Sequence, residues 1–129
     1  MPAPLAMEPI IQKDIGDCVI VCLSMILGIP YVTVYRAAHA LYPACGSKGL
    51  TTRQMLRVVR SLGFHLTPTA IENANLEDET GILDVKIKQS LHAVVLFEGV
   101  VFNPADGLIY NLEAYLAGKA KPVRLFRPQ

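Results

Sequence analysis

The stretch that most constrains this chain is the run from Cys18 to Leu27, in which Ser24 is the only ordinary polar side chain. A helix that is apolar nearly all round is stable only when other elements cover it on every side. The boundaries of the run are marked. Asp17, whose carboxylate can accept first-turn N–H groups, precedes it, and Gly28 follows as a C-cap. The run therefore predicts a central buried helix over about Asp17 to Leu27 with Cys18 in its first turn. The positive end of the helix dipole there is expected to lower a thiol's pKa and make it a nucleophile. Gln12, six residues upstream of Cys18, is a neutral side-chain donor suited to face an oxyanion.

The rest of the composition agrees with a compact globule built round that helix. At 129 residues the chain is long enough for one domain, expected to span residues 1–129, with a real core. A net charge of +1, with no Lys/Arg-rich block, gives no electrostatic case for nucleic acid or a membrane surface. The apolar stretch from Cys18 to Val32 is interrupted by Ser24, Gly28 and Pro30 and is too short to span a bilayer. Residues 1–8 lack the basic region and apolar core of a secretion signal. Three cysteines cannot all pair, and their spacing fits no structural zinc pattern, so a reducing cytoplasm is the expected compartment.

Along the chain, residues 1–11 are Pro-rich and read as an extended arm. A second helix is predicted over about Pro30 to Leu41, with Val32, Val34, Tyr35, Ala38 and Leu41 inward. Cys45 to Gly49 reads as a loop. Thr51 and Gln54 have capping-box spacing and open a third helix running to about Leu62. Its arginines, Arg53, Arg57 and Arg60, read as a solvated face. After Gly63 the period changes. Phe64 to Thr67 reads as a short strand, and Pro68 to Thr80 as a loop or short helix, with Glu72 to Glu79 solvated. Ile82 to Ile87 alternates as a half-buried strand does, and His92 to Phe97 reads as a strand turning at Glu98-Gly99 into Val100 to Phe102. Asn103 to Gly107 is a turn-forming cluster. Asn111 caps a short helix to about Leu116, and Pro122 to Phe126 forms a last strand. Helices first and antiparallel strands after them make an α+β fold.

A cysteine nucleophile needs a base in reach, and that base needs an orienting partner. The chain has three histidines: His39 on the second helix, His65 on a short strand, and His92 at the start of a strand. The hairpin after His92 returns Asn103 to roughly the same end of the sheet, where its side chain suits holding the imidazole tautomer that faces Cys18. Asp106 is the other candidate for that role. Cys22, one turn deeper than Cys18, reads as core, and Cys45, in a Gly-flanked loop, as incidental. A metal site from Cys18, Cys22 and a histidine is disfavoured by the helical spacing of the cysteines, so no metal or cofactor is expected.

The ordered set Gln12, Cys18, His92 and Asn103 resembles the papain-like cysteine peptidases that form the N-terminal domains of bacteriocin-exporting ABC transporters and cleave leader peptides after a double glycine. The motifs that carry the resemblance run in order through nearly the whole chain: Gln12, Asp17, Cys18 and Met25-Ile26-Leu27; Gly49-Leu50-Thr51-Thr52 through Leu62-Gly63; His92-Ala93-Val94-Val95-Leu96; and Asn103-Pro104-Ala105-Asp106-Gly107. The resemblance implies the papain-like fold, with Cys18 as nucleophile, His92 as general base and acid, and Asn103 as orienter. Gln12 would serve as oxyanion donor together with the backbone N–H of Cys18. It implies a peptide or leader-sequence substrate and association with a separate transporter, since no membrane segments or ATPase follow here. Two residues depart from the family pattern. Val19 stands where the family usually has Gly, and Asn103 where it usually has Asp, as Asn does in papain itself. Val19 favours an alternative, a degenerate domain of the same fold that binds a peptide without cutting it. Deamidation or acyl transfer by the same nucleophile is a further alternative.

Overall fold

The computed structural model describes residues 17–128. Gln12 and the expected N-terminal arm lie outside the described residues. Helix α1 (Cys18–Leu27) is followed by α2 (Tyr31–Leu41), a single turn α3 (Cys45–Lys48) and α4 (Thr52–Ser61). The remainder is strand β1 (Leu66–Ala70), two 3-10 turns, β2 (Thr80–Ile87), β3 (Ser90–Phe97), β4 (Val100–Asn103), β5 (Leu108–Asn111), helix α5 (Leu112–Ala117) and β6 (Ala120–Pro128). The strands form one antiparallel sheet in the order β1-β6-β2-β3-β4-β5. The α+β arrangement expected from the sequence is the observed one.

Local chemistry explains the element ends. Gly28 adopts φ 68°, the left-handed conformation that a side chain resists, and its N–H reaches the Ser24 carbonyl at 3.0 Å. Thr51 and Gln54 complete the capping box of α4 at 3.2 and 2.9 Å. The Glu98-Gly99 turn takes φ 43° and 85°, the mirror-image turn whose twist matches a tight hairpin. Asn111 caps α5 by accepting the N–H groups of Glu113 and Ala114 at 2.9 and 3.3 Å.

Helix α1 sits where its composition requires. Ile20, Val21, Cys22 and Leu23 are fully buried, packed with Val34 and Ala38 of α2, Val58 and Val59 of α4, and Ile82, Val95 and Phe126 of the sheet. The opposite sheet face carries a second apolar layer, Leu83, Val85, Val94, Leu96 and Leu125, beneath Leu112 of α5. Strand β2 is therefore covered on both faces along most of its length, whereas alternation had suggested one wet face.

Several local expectations are corrected. Val32 is 51% exposed, because α2 turns only its Val34–Ala38 stripe inward. Cys45, expected in a loop, opens the short helix α3 and is buried. The strand expected at Phe64 to Thr67 begins at Leu66 and continues through Ala70, held by β6. Strand β5 was not anticipated.

At Gly81 the β2–β6 ladder comes so close that an added Cβ would lie 2.2 Å from the Phe126 carbonyl oxygen, which backbone cannot avoid without shifting. Gly81→Ala is therefore expected to destabilise the fold by about 1–3 kcal/mol, read as a lowered urea midpoint with unchanged slope.

Candidate active site

Packing α1 against β3 brings the first turn of the helix over the start of that strand. Cys18 and Val19 form one side of a cleft of about 280 Å³. Asp84 of β2, Leu91, His92 and Ala93 of β3, and Lys48 to Thr52 with Met55 complete its lining. Two of the residues singled out in the sequence, Cys18 and His92, thus line one cleft. Cys18 is half-buried and His92 exposed. The other histidines are elsewhere: His39 stacks on Tyr35 of its own helix at 5.9 Å between ring centroids, and His65 precedes β1 on the surface.

Asn103 ends β4 and is not among the residues lining the cleft. The β3–β4 ladder pairs Val95 with Phe102, so one further step sets Asn103 opposite Val94, diagonal to His92. Its Oδ1 accepts the Ala105 N–H at 3.0 Å, closing the turn. Asp106 is likewise occupied, accepting the Leu108 N–H at 2.8 Å and the Tyr110 hydroxyl.

The electrostatics of Cys18 reverse the simplest expectation. Burial pushes its thiol above the ordinary value, and the carboxylates of Asp17 and Asp84 add to the rise. The backbone N–H groups of Ala93 and Val19 pull the other way without overcoming burial. Asp17 occupies the N-cap position but makes no side-chain capping bond; its Oδ2 accepts the Tyr31 hydroxyl at 2.7 Å instead. The carboxylate that was to cap the helix is thus fully buried beside α2. Cys22 is core, as expected, and burial drives its thiol well above the ordinary value.

Asp84 is the site residue that the sequence reading did not single out. It pairs with Ala93 on one side and Arg124 of β6 on the other, and faces the α1 side of the sheet with Ile82. Burial raises its carboxyl to about 6, with Arg124 partly opposing the rise. The available signal was an aspartate inside an apolar strand, where that residue is depleted. Among the described residues no group of His, Cys, Asp and Glu is arranged to hold a metal ion.

A model of the peptidase C39 family matches residues 7–98. The chain belongs to that family. C39 peptidases are papain-like cysteine peptidases, the type found in bacteriocin leader processing, and this chain carries a domain of that type. The match includes Gln12, Cys18 and His92 and ends before Asn103. A search of curated proteins finds no match. Among the described residues no helix is long and apolar enough to cross a membrane.

The raised Asp84 carboxyl has a consequence for stability. An acid whose folded pKa lies above its unfolded value, about 4, favours the folded state at low pH, and that advantage is lost as pH rises toward about 6. Asp84→Asn should therefore be more stable than the wild type at pH 7.5 by about 1–2 kcal/mol, discounted for remaining solvent contact. The difference should close by pH 4, as urea midpoints at the two pH values would show.

Proposed function

We propose that this domain is a papain-like cysteine peptidase that cleaves a peptide through Cys18 and His92. The supporting observation is that the two residues line one cleft, the nucleophile from the start of α1 and the base from the start of β3. Because burial keeps the resting thiol protonated near neutrality, His92 acts as a general base at the moment of attack. Cys18 Sγ adds to the scissile carbonyl as its proton passes to the imidazole. Gln12 and the backbone N–H of Cys18 hold the oxyanion. The tetrahedral adduct collapses, and protonated His92 gives its proton to the leaving amine. Water, deprotonated by His92, then releases the acyl group from sulfur. Asn103 orients the imidazole once a modest shift of its turn frees Oδ1 from the Ala105 N–H. The substrate is a peptide or leader sequence, and association with a separate transporter would deliver it.

One observation favours a second reading. Val19, β-branched, lines the cleft beside a thiol that its surroundings hold protonated, which suits a domain that retains a peptide without cutting it. Product mass separates these readings and the deamidase alternative: cleavage yields two fragments, deamidation shifts one peak by about a dalton, and binding alone changes neither.

On double-glycine leader peptides assayed by mass spectrometry, the wild type should give two fragments and Cys18→Ala none. Gln12→Ala should retain its fold and lose about a hundred- to a thousandfold in turnover. Equal inactivity of wild type and Cys18→Ala, with both binding the peptide, would establish the binding reading instead.

A further inference from the structure

Asp84 lines the cleft and has no role in the mechanism above. Its cross-strand neighbour Ala93 is the residue whose backbone N–H reaches the Cys18 thiol, so the carboxylate stands one strand away from the reacting sulfur. Among the described residues Asp84 makes no side-chain hydrogen bond and no ion pair. Arg124, its partner on β6, is exposed and acts on it only at longer range. A half-buried carboxylate beside a nucleophile, with a cation only at longer range and none in contact, is unfavourable in the free protein.

We propose that Asp84 selects a positively charged residue, Lys or Arg, in the peptide next to the bond that Cys18 attacks. This rests on the peptidase reading and adds to it the charge of the substrate. The cation would restore the missing ion pair inside a cleft whose apolar walls, Val19, Leu91 and Met55, suit the long aliphatic stem of such a side chain. It would also act on the nucleophile. Asp84 disfavours the Cys18 thiolate while uncompensated, so a cation that neutralises it lowers the barrier to ionising the sulfur. An acidic substrate residue would have the opposite effect on both counts. The other charged groups at the cleft are Asp17, engaged by Tyr31, and Lys48 and His92 at its rim, with Arg124 behind Asp84. Lys48 opposes the preference and therefore sets its size.

The test uses small thiol reagents in place of a substrate, so it does not depend on cleavage. Trimethylammonioethyl and sulfonatoethyl methanethiosulfonates differ in charge and form the same kind of mixed disulfide, releasing methanesulfinate. The ratio of their rates at Cys18, read residue by residue by mass spectrometry, cancels the thiolate fraction. Dividing it by the ratio for the urea-unfolded chain isolates the field of the folded cleft. At pH 8 the cationic reagent should be favoured about tenfold, consistent with a charge pair a few ångströms apart in a partly screened site. The preference should fall severalfold, to the part that Asp17 sustains, in Asp84→Asn and, without any substitution, at pH 5, where Asp84 is largely protonated. No preference at pH 8, or one left unchanged by both Asp84→Asn and pH 5, would overturn the assignment. If these ratios hold while leader peptides go uncut, the peptidase reading fails and the charge preference stands. If peptides are cut and the ratios are flat, the reverse is true.

Discussion

The packing of α1 between the other helices and the sheet is the constraint on which the rest depends. Ile20, Val21 and Leu23 cannot face water, so α2 and α4 cover one side and Ile82, Val95 and Phe126 the other. Burying the helix from Ile20 to Met25 carries its first turn down to β2 and β3. Cys18 therefore meets Ala93 and Asp84 as a consequence of packing further along the helix. Substitutions in the body of α1 would accordingly move Cys18 as well as weaken the core.

The same burial sets the chemistry. A helix N-terminus in water stabilises a thiolate, but here desolvation outweighs the backbone N–H groups of Ala93 and Val19, and two carboxylates reinforce it. The resting Cys18 side chain is held as a thiol; on the proposed reading this assigns the proton to a base at the moment of attack and gives a cation brought to Asp84 an influence on reactivity. Asp17 illustrates how context redirects a side chain. It holds the capping position, yet its carboxylate accepts from Tyr31 and so ties the start of α1 to the start of α2.

What the sequence revealed was local. The all-apolar run, the capping box at Thr51, the Glu98-Gly99 turn and the Asn111 cap each depend on neighbours within a few residues, and each is present. The pairing of Cys18 with His92 came from a resemblance in motif order, and both residues line the cleft. Less legible were features created by contacts distant along the chain. Asp84 looked like the outward position of a half-buried strand, because nothing nearby in sequence reveals that α1 closes over that face. Cys45 read as part of a loop, because the neighbouring glycines say nothing of what packs on a one-turn helix. Strand β5, four residues with Leu108 and Ile109 more than half exposed, lacks the buried alternation that marks a strand. The direction of the Cys18 shift was missed for the same reason: its largest causes are supplied by the fold.

The measurement that tests the central claim most directly is the rate at which iodoacetamide modifies Cys18 at pH 7, followed by mass spectrometry in the wild type and in His92→Ala. A base that takes the thiol proton as sulfur attacks predicts that removing the imidazole slows modification by at least about tenfold, while Cys18 in the two urea-unfolded chains reacts equally. Equal rates in the two folded proteins would contradict the account, leaving Cys18 and His92 as neighbours in a cleft that do not act together.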